Sequence, residues 1–454
     1  MIAQLSSASS THVIFVDTPY REGSHPTFHR YNQAYARKFA SFWDIAPYQE
    51  GSSNYPNVPL WVSSLRPIVM GLGLNSTYVR CRIETISLPQ APVYLLSSFT
   101  SNYTYTRKIA QWIRQHYPQS KIVLGGSHAS ACGPECAETG DFDAIVAGEG
   151  EEPLEHILRR YFFGDGNLSG IEGIYYVRDG AIEFNQRRPA YADPGARPLP
   201  DYSFLDELAR SQIQEGAVMA TYGCPWRCVY CAEGSRRLVS KTPQRVVQEI
   251  SRVREAFPKA RFLRFVDSSF SARSDLPQMC EALASISIPW SCQTRANLMQ
   301  PGRLELLRSG GCRVVNLGAE SGDNRILKII NKGLTVEEIF ASCQTAKSLG
   351  FKVITYWMIG LPGETEETAQ QTIRVISDLM EHGLSDLAEL CICVPYPGTA
   401  LHKRYQEFKI SIDKAYDYAN FLENDLSCMH TESLTNIDIY RLWQEGLSSI
   451  TERI

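Results

Sequence analysis

A chain of 454 residues is long enough for two or three domains with substantial cores. With 44% hydrophobic and 21% charged residues it has the composition of a soluble globular protein, and a formal net charge of −4 without a long basic run argues against nucleic acid as a partner. No apolar stretch reaches membrane-spanning length and residues 1–7 lack the parts of a signal peptide, so no membrane role is expected. Thirteen cysteines without a secretion signal favour reduced thiols and a cytoplasmic location.

Residues 11–17 spell a first buried strand. An insertion at 18–66 follows, rich in aromatics such as Tyr20, Tyr31, Tyr35, Phe39, Trp43, Tyr48 and Tyr55. These rings either cover a ligand or, as expected of most of them, form a satellite core. An α/β rhythm then sets in. The strand at 93–96 leads into Ser97, Ser98, Phe99 and Thr100, and helical spacing runs over 106–117. The strand at 121–124 ends in Gly125, Gly126, Ser127 and His128, and that at 143–147 ends in Gly148, Glu149, Gly150 and Glu151. Small and polar residues at the carboxyl ends of parallel strands are where open sheets bind ligands, and glycine lets the backbone come close. Residues 1–165 thus read as one Rossmann-like unit. Residues 166–205 read as a linker holding a hairpin with an Asp179-Gly180 turn.

Over 206–408 strand and helix alternate six times, with strands at 217–222, 261–266, 290–293, 314–318, 352–357 and 386–393. The spacing of roughly 30 residues is that of βα units. Right-handed crossovers curl such units into a parallel partial barrel, with functional groups at the carboxyl ends of its strands. The tail, 409–454, holds an amphipathic helix over 437–450 that is expected to cap the barrel mouth.

The first of these strands runs into Cys224, Cys228 and Cys231, a C-x3-C-x2-C triplet. Thiolates are soft ligands suited to iron–sulfur clusters, zinc or Cu(I). A structural zinc site takes four ligands, but the next cysteine is Cys280 and the next histidine His382. Three thiolates on a four-iron cluster would leave one iron open; a zinc site or a chance group of buried thiols is the alternative. Other phrases stand at the strand ends: Asp267-Ser268-Ser269-Phe270, Gln293-Thr294-Arg295, Gly318-Ala319-Glu320-Ser321-Gly322, Gly360-Leu361-Pro362-Gly363-Glu364 and Pro395-Tyr396-Pro397-Gly398-Thr399. Arg295 has the fork to grip a carboxylate, or forms a salt bridge. Glu320 can accept two hydrogen bonds from a ribose diol, and Ser321 can cap a helix. Cys391 and Cys393 share a face of the last strand, where a thiol could reach a substrate.

The triplet, with Tyr230 before its last cysteine, and the phrases at Asp267, Glu320 and Pro395 resemble the radical S-adenosylmethionine (SAM) superfamily. Gly125–His128 with Gly148–Glu151 resembles the cobalamin-binding domain that precedes many such enzymes. The resemblance implies a (β/α)6 partial barrel and a [4Fe-4S] cluster on Cys224, Cys228 and Cys231. It implies SAM contacts at Tyr230, Asp267, Ser268, Gln293, Arg295, Glu320 and Ser321. Cobalamin would meet Ser97, Ser98, Thr100, Gly125, Gly126, Ser127, His128, Gly148, Glu149, Gly150 and Glu151. The axial-histidine motif of other cobalamin proteins is missing after Asp17, where the chain reads Thr18-Pro19-Tyr20-Arg21-Glu22-Gly23, so no histidine ligand is expected from it. A domain that has lost its cofactor is the alternative. The implied activity is methylation of an unactivated carbon of a small molecule, through methylcobalamin and a 5′-deoxyadenosyl radical, with electrons from a flavodoxin or ferredoxin-type donor. Cyclisation, ring contraction or rearrangement without methyl transfer, and a non-catalytic corrinoid sensor, are the rival readings.

Overall fold

The computed structural model describes residues 11–18, 25–45, 47, 58–82, 84–186, 195–234, 236–413 and 417–454. Tyr20, Tyr48 and Tyr55 of the insertion and the loop at 19–23 lie outside the described residues.

The first sheet has seven strands: β1 (His12–Asp17), β2 (Asn75–Arg80), β3 (Val93–Ser97), β4 (Lys121–Gly125), β5 (Ala144–Val146), β6 (Ile174–Arg178) and β7 (Ala181–Asn185). Their order is β2-β1-β3-β4-β5-β6-β7, parallel through β5 and antiparallel after it. The expected hairpin therefore forms, and its two strands extend this sheet. Central strands such as Val13-Ile14-Phe15-Val16 are buried on both faces, as a parallel sheet covered by helices requires. One face packs under α2 (Leu60–Gly71) and the helix Glu151–Phe163; the other packs under Tyr103–His116.

The second sheet is built from β8 (Glu215–Val218), then a short ribbon of β9 (Thr221–Tyr222) and β10 (Val239–Ser240), then β11 (Phe262–Phe265), β12 (Trp290–Thr294), β13 (Cys312–Glu320), β14 (Lys352–Ile359) and β15 (Leu387–Ile392). Its order, β15-β14-β13-β12-β11-β8, is parallel throughout. This is the expected six-stranded partial barrel. Side chains alternate with the strand period of two. Val315, Leu317 and Ala319 of β13 enter the large core under the helices, whereas Val314 faces the lumen with Phe262, Ile354 and Leu387.

The aromatic insertion seals the amino-terminal end of this lumen. Helix α1 (Pro26–Ser41) lies against the C-terminal helix Asn436–Thr451, and the Tyr31 hydroxyl donates to the Ala388 carbonyl at 2.9 Å. Trp43 stacks on Phe262 with centroids 4.2 Å apart and planes 6° from parallel. The insertion thus belongs to the floor of the second sheet, although the chain reaches it from the first.

The C-terminal helix does not cap the mouth. It packs along β15 and the helix Glu366–Glu381, with the Trp443 indole donating to the Leu390 carbonyl at 2.8 Å. Its apolar face is continuous with the large core, which is why it lies there. The segment before it reaches the mouth instead, where the Ile392 amide donates to the Glu423 carbonyl at 2.7 Å.

Because the ring of Trp43 fills the barrel floor, Trp43→Ala should cost about 3 kcal/mol of stability and Trp43→Phe much less. Scanning calorimetry of the two variants against the parent checks this.

Candidate functional site

The cysteine loop starts one residue beyond β9. Gly223 turns it at φ +75°, where a Cβ would stand 2.5 Å from the Arg237 carbonyl oxygen, so only glycine fits. Both strand-end neighbours then hold it: the Val229 amide donates to Ile330 at 3.1 Å, and the Leu401 amide donates to Val229 at 2.8 Å. The Arg236 amide donates to Cys224 at 3.0 Å. Cys224 and Cys228 are buried and Cys231 is half-buried. Burial pushes the Cys224 and Cys231 thiols up, and the charges of Arg295 and Lys332 draw Cys224 back down. Among the described residues no three His, Cys, Asp or Glu side chains converge on one metal ion. Three soft thiolate donors on one loop suit an iron–sulfur cluster, whereas a structural zinc site takes four ligands. The donor set fits a cluster.

Arg295, buried, packs its guanidinium over the Trp226 ring at 4.5 Å, donates from Nη1 to the Cys228 sulfur at 3.4 Å, and donates from Nη2 to the Lys332 carbonyl. Its Nε finds no partner among the described residues. Glu320 accepts from Lys332 Nζ at 2.6 Å, and Lys332 reaches the Tyr230 hydroxyl at 3.3 Å. A bulge between Gly318 and Glu320 sets Glu320 at φ +72°, a left-handed backbone that a non-glycine residue adopts only under constraint. A Cβ on Gly318 would fall 2.4 Å from Glu320 Oε1, so the glycine makes room for the carboxylate.

Two predicted contacts point elsewhere. Asp267 is buried with its carboxylate committed to the Ala220 amide at 3.1 Å and the Thr221 hydroxyl at 2.5 Å, and burial pushes its pKa up to about 6. Ser321 is fully buried and accepts from the Asp323 amide at 3.2 Å. Both brace strand ends instead of presenting a polar group to the open space. Ser268 does face it, and Gln293 shares the inner face of β12 with Ser291. Glu364 is more than a helix starter: one oxygen accepts from the Gly360 amide at 2.5 Å, the other has no partner among the described residues, and burial lifts its pKa to about 8.

On the first sheet, Gly126 sits at φ +102° with the Ser98 backbone 2.4 Å from where a Cβ would be. Ser98 is buried and donates to the Phe99 carbonyl at 2.9 Å. His128 turns inward from the loop: fully buried, it stacks on Tyr103 at 4.0 Å, meets Tyr418 at 4.7 Å, and its Nδ1 lies 3.2 Å from Thr100 Oγ1. Burial lowers its pKa to about 4. It does not line the large cavity at the carboxyl ends of the sheets, and its Nε2 has no partner among the described residues. The Gly148 amide donates to Ser130 at 2.9 Å. Glu149 and Glu151 both pair with Arg197, Glu151 at 2.8 Å, and Arg197 covers the Tyr222 ring at 5.0 Å.

The carboxyl ends of both sheets open on one cavity of about 1970 Å³. Thr100, Gly126, Ser127, Gly148 and Glu149 line it on one side; Cys228, Cys231 and Ser268 line it on the other. A second cavity of about 330 Å³ lies between the first sheet and α2, lined by Ser97, Gly125 and Gly150, and it shares Gly126, Gly148, Met219 and Tyr222 with the first. A bulky ligand with a side arm suits this pair of spaces. Sequence reasoning missed the polar lumen beneath. Arg264 pairs with Glu215 at 2.5 Å, and the Asn316 Oδ1, buried, has no partner among the described residues. Burial raises Glu389, against Tyr35, and it also raises Glu423, which contacts Tyr396 and Cys391 at the mouth. Only the alternation of the strands, followed to its inner face, could have signalled Arg264, Asn316 and Glu389; Glu423 lies outside any strand.

Fold and site define an enzyme in which an α/β partial barrel with a cysteine triplet suited to a cluster faces a Rossmann-like ligand domain. Residues 218–376 match the radical SAM superfamily model and residues 72–158 the B12 binding domain model. The chain belongs to the radical SAM enzymes that carry a B12-binding domain. These domains imply a [4Fe-4S] cluster, SAM and cobalamin. An uncharacterized methyltransferase of Pyrococcus horikoshii is 30% identical over 62% of this chain and 62% of its own length. The anaerobic magnesium-protoporphyrin IX monomethyl ester cyclase of Rubrivivax gelatinosus is 24% identical over 82% of this chain and 69% of its own. The chain therefore spans about two thirds of these relatives. The structure of the radical SAM methyltransferase TsrM from Kitasatospora setae with cobalamin and a [4Fe-4S] cluster shares the fold, with a TM-score of 0.70, 14% identity, and coverage of 98% and 89% of the two chains.

The raised Glu364 pKa has a consequence for stability. A carboxyl whose folded pKa lies above its unfolded value supplies stability that is complete below the unfolded pKa and lost as pH rises through the folded one. Melting temperature should therefore fall less steeply between about pH 5 and 8 in Glu364→Gln than in the parent, which thermal scans of the cluster-free proteins would show.

Proposed function

We propose that this chain is a cobalamin-dependent radical SAM methyltransferase acting on an unactivated carbon of a small molecule. One observation carries the reading: the cysteine loop of the barrel and the glycine-rich strand ends of the first sheet line the same cavity. Cys224, Cys228 and Cys231 would hold the cluster. Glu320, oriented by Lys332, would accept hydrogen bonds from SAM, and Ser268 faces the cavity. Asp267 and Ser321 would act behind them, fixing the strand ends. Gly126, Ser127 and Gly148 would let a corrin approach the first sheet, with its side arm toward Ser97, Gly125 and Gly150. Bound there, the cluster supplies the electron that splits SAM, and cobalamin supplies the methyl group.

The rest is the work of this chain. The apolar floor at Trp43 and Phe262 closes the lumen from below, and the segment at Glu423 overhangs it from above, which limits water at a radical site. Glu423 is open to the cavity yet enclosed by its walls, and its raised pKa suits a group that shares a proton with a substrate. We assign it a substrate-facing role. The electron has to come from outside, and we assign a flavodoxin or ferredoxin-type donor. No described helix is long and apolar enough to cross a membrane, and reduced thiols fit the cytoplasm, where we place the protein.

The test is anaerobic protein from cobalamin-fed cells, analysed for iron and cobalamin and then incubated with reductant, a small-molecule extract and SAM carrying a deuterated methyl group. Methyl transfer predicts about four irons and one cobalamin per chain, both 5′-deoxyadenosine and S-adenosylhomocysteine, and a product bearing the label. A product without label, and 5′-deoxyadenosine alone, would replace methylation by rearrangement. Glu423→Gln should keep its iron and cobalamin and lose turnover by on the order of tenfold or more, the worth of one charge-assisted hydrogen bond.

A further inference from the structure

The geometry points to Arg295 as a positioning residue for the cluster thiolate of Cys228, one that raises the reduction potential of the cluster rather than gripping SAM or substrate. The inference rests on the cluster site proposed above, not on methyl transfer.

An arginine that binds a carboxylate presents its fork to the ligand. Here the fork is already engaged: Nη1 donates to the Cys228 sulfur at 3.4 Å and Nη2 to the Lys332 carbonyl, while Trp226 lies across the guanidinium face at 4.5 Å. Arg295 is 6% exposed and does not line the large cavity. Its Nε has no partner among the described residues, a donor left for a sulfur acceptor. Lys332, whose carbonyl fixes one arm of the fork, also carries the ammonium that pairs with Glu320. One arginine thus joins the cysteine loop to the Glu320 strand end.

The physical effect has a fixed sign. Reduction adds one negative charge to a cluster and its thiolates. A hydrogen bond to a ligating sulfur and a fixed cation at low dielectric both favour the more negative state. The step is one electron onto the cluster, with no bond made or broken at Arg295.

Parent, Arg295→Lys and Arg295→Met proteins, reconstituted anaerobically with iron and sulfide and free of SAM, would be titrated with dithionite while the paramagnetic reduced cluster is followed by EPR. At equal iron content, Arg295→Met should be harder to reduce by tenfold or more, equivalent to about 59 mV for one electron, with Arg295→Lys between it and the parent. A Met variant that titrates with the parent at full iron loading overturns the assignment. If Arg295→Met fails to hold iron, Arg295→Lys and Trp226→Leu carry the test: potentials below the parent support it, and both at the parent value overturn it. Failure of methyl transfer would leave these potentials unchanged, whereas a parent protein that forms no reducible cluster would sink the cluster site and this inference with it.

Discussion

Everything in this fold is arranged about a nine-residue turn that no secondary structure supports from within. The cysteine loop has no helix or strand of its own between Gly223 and Cys231; its Val229 amide and its Arg227 and Val229 carbonyls are met by Ile330, Asn331 and Leu401, far along the chain, and its Cys224 carbonyl by Arg236, just beyond the loop. A buried loop with unmet polar groups is costly. The barrel removes that cost by bringing the loops after β13 and β15 against it, some 100 and 170 residues later. The same contacts fix where the thiols stand, so a rigid sheet positions what the loop alone could not.

The second constraint is that two parallel sheets must present their carboxyl ends to one space. Arg197 is central to this. It leaves the segment after the first sheet, pairs with Glu149 and Glu151 at the end of β5, and covers Tyr222 beside the cysteine loop. A pair of carboxylates and an aromatic face from opposite sides are thereby held by one guanidinium, a task its planar charge suits better than an ammonium would. Tyr418 makes a second tie, from the C-terminal segment to Tyr103 and His128.

Much of this was legible in the sequence. Strands that are buried on both faces, such as β1, β3, β4 and β14, announce themselves as apolar runs and fell within about two residues of their observed ends. Strand β2 did not, because Asn75-Ser76-Thr77-Tyr78-Val79-Arg80 is a half-exposed edge whose polar residues give no pattern. The cysteine loop and the glycines at Gly126, Gly148 and Gly318 were legible because their chemistry is local: a thiol spacing, or a backbone that tolerates no Cβ. The direction of a polar side chain is not local. His128 opens a short helix, and the register of that helix turns its ring between Tyr103 and Tyr418; Asp267 and Ser321 are drawn inward by partners 47 and 51 residues away. Glu423 and Arg197 lie in segments with no periodic signal and gain their meaning only from what they cross.

The lumen shows why such groups cluster where they do. Its floor is apolar, packed by Trp43 against Phe262, Val314, Ile354 and Leu387, and the next inward positions are Arg264, Asn316, Tyr356 and Glu389. A barrel that served only stability would continue the apolar filling upward, since each unpartnered buried polar atom costs free energy. This one leaves the Asn316 carbonyl unmet, holds Glu389 and Glu423 away from their ordinary range, and gathers them above a sealed floor and below the cysteine loop. Polar groups gathered along one wall, with the Asn316 Oδ1 unmet among the described residues, mark a space shaped for something that arrives with its own hydrogen bonds, and the aromatic floor ensures that it arrives from the side of the cysteine loop.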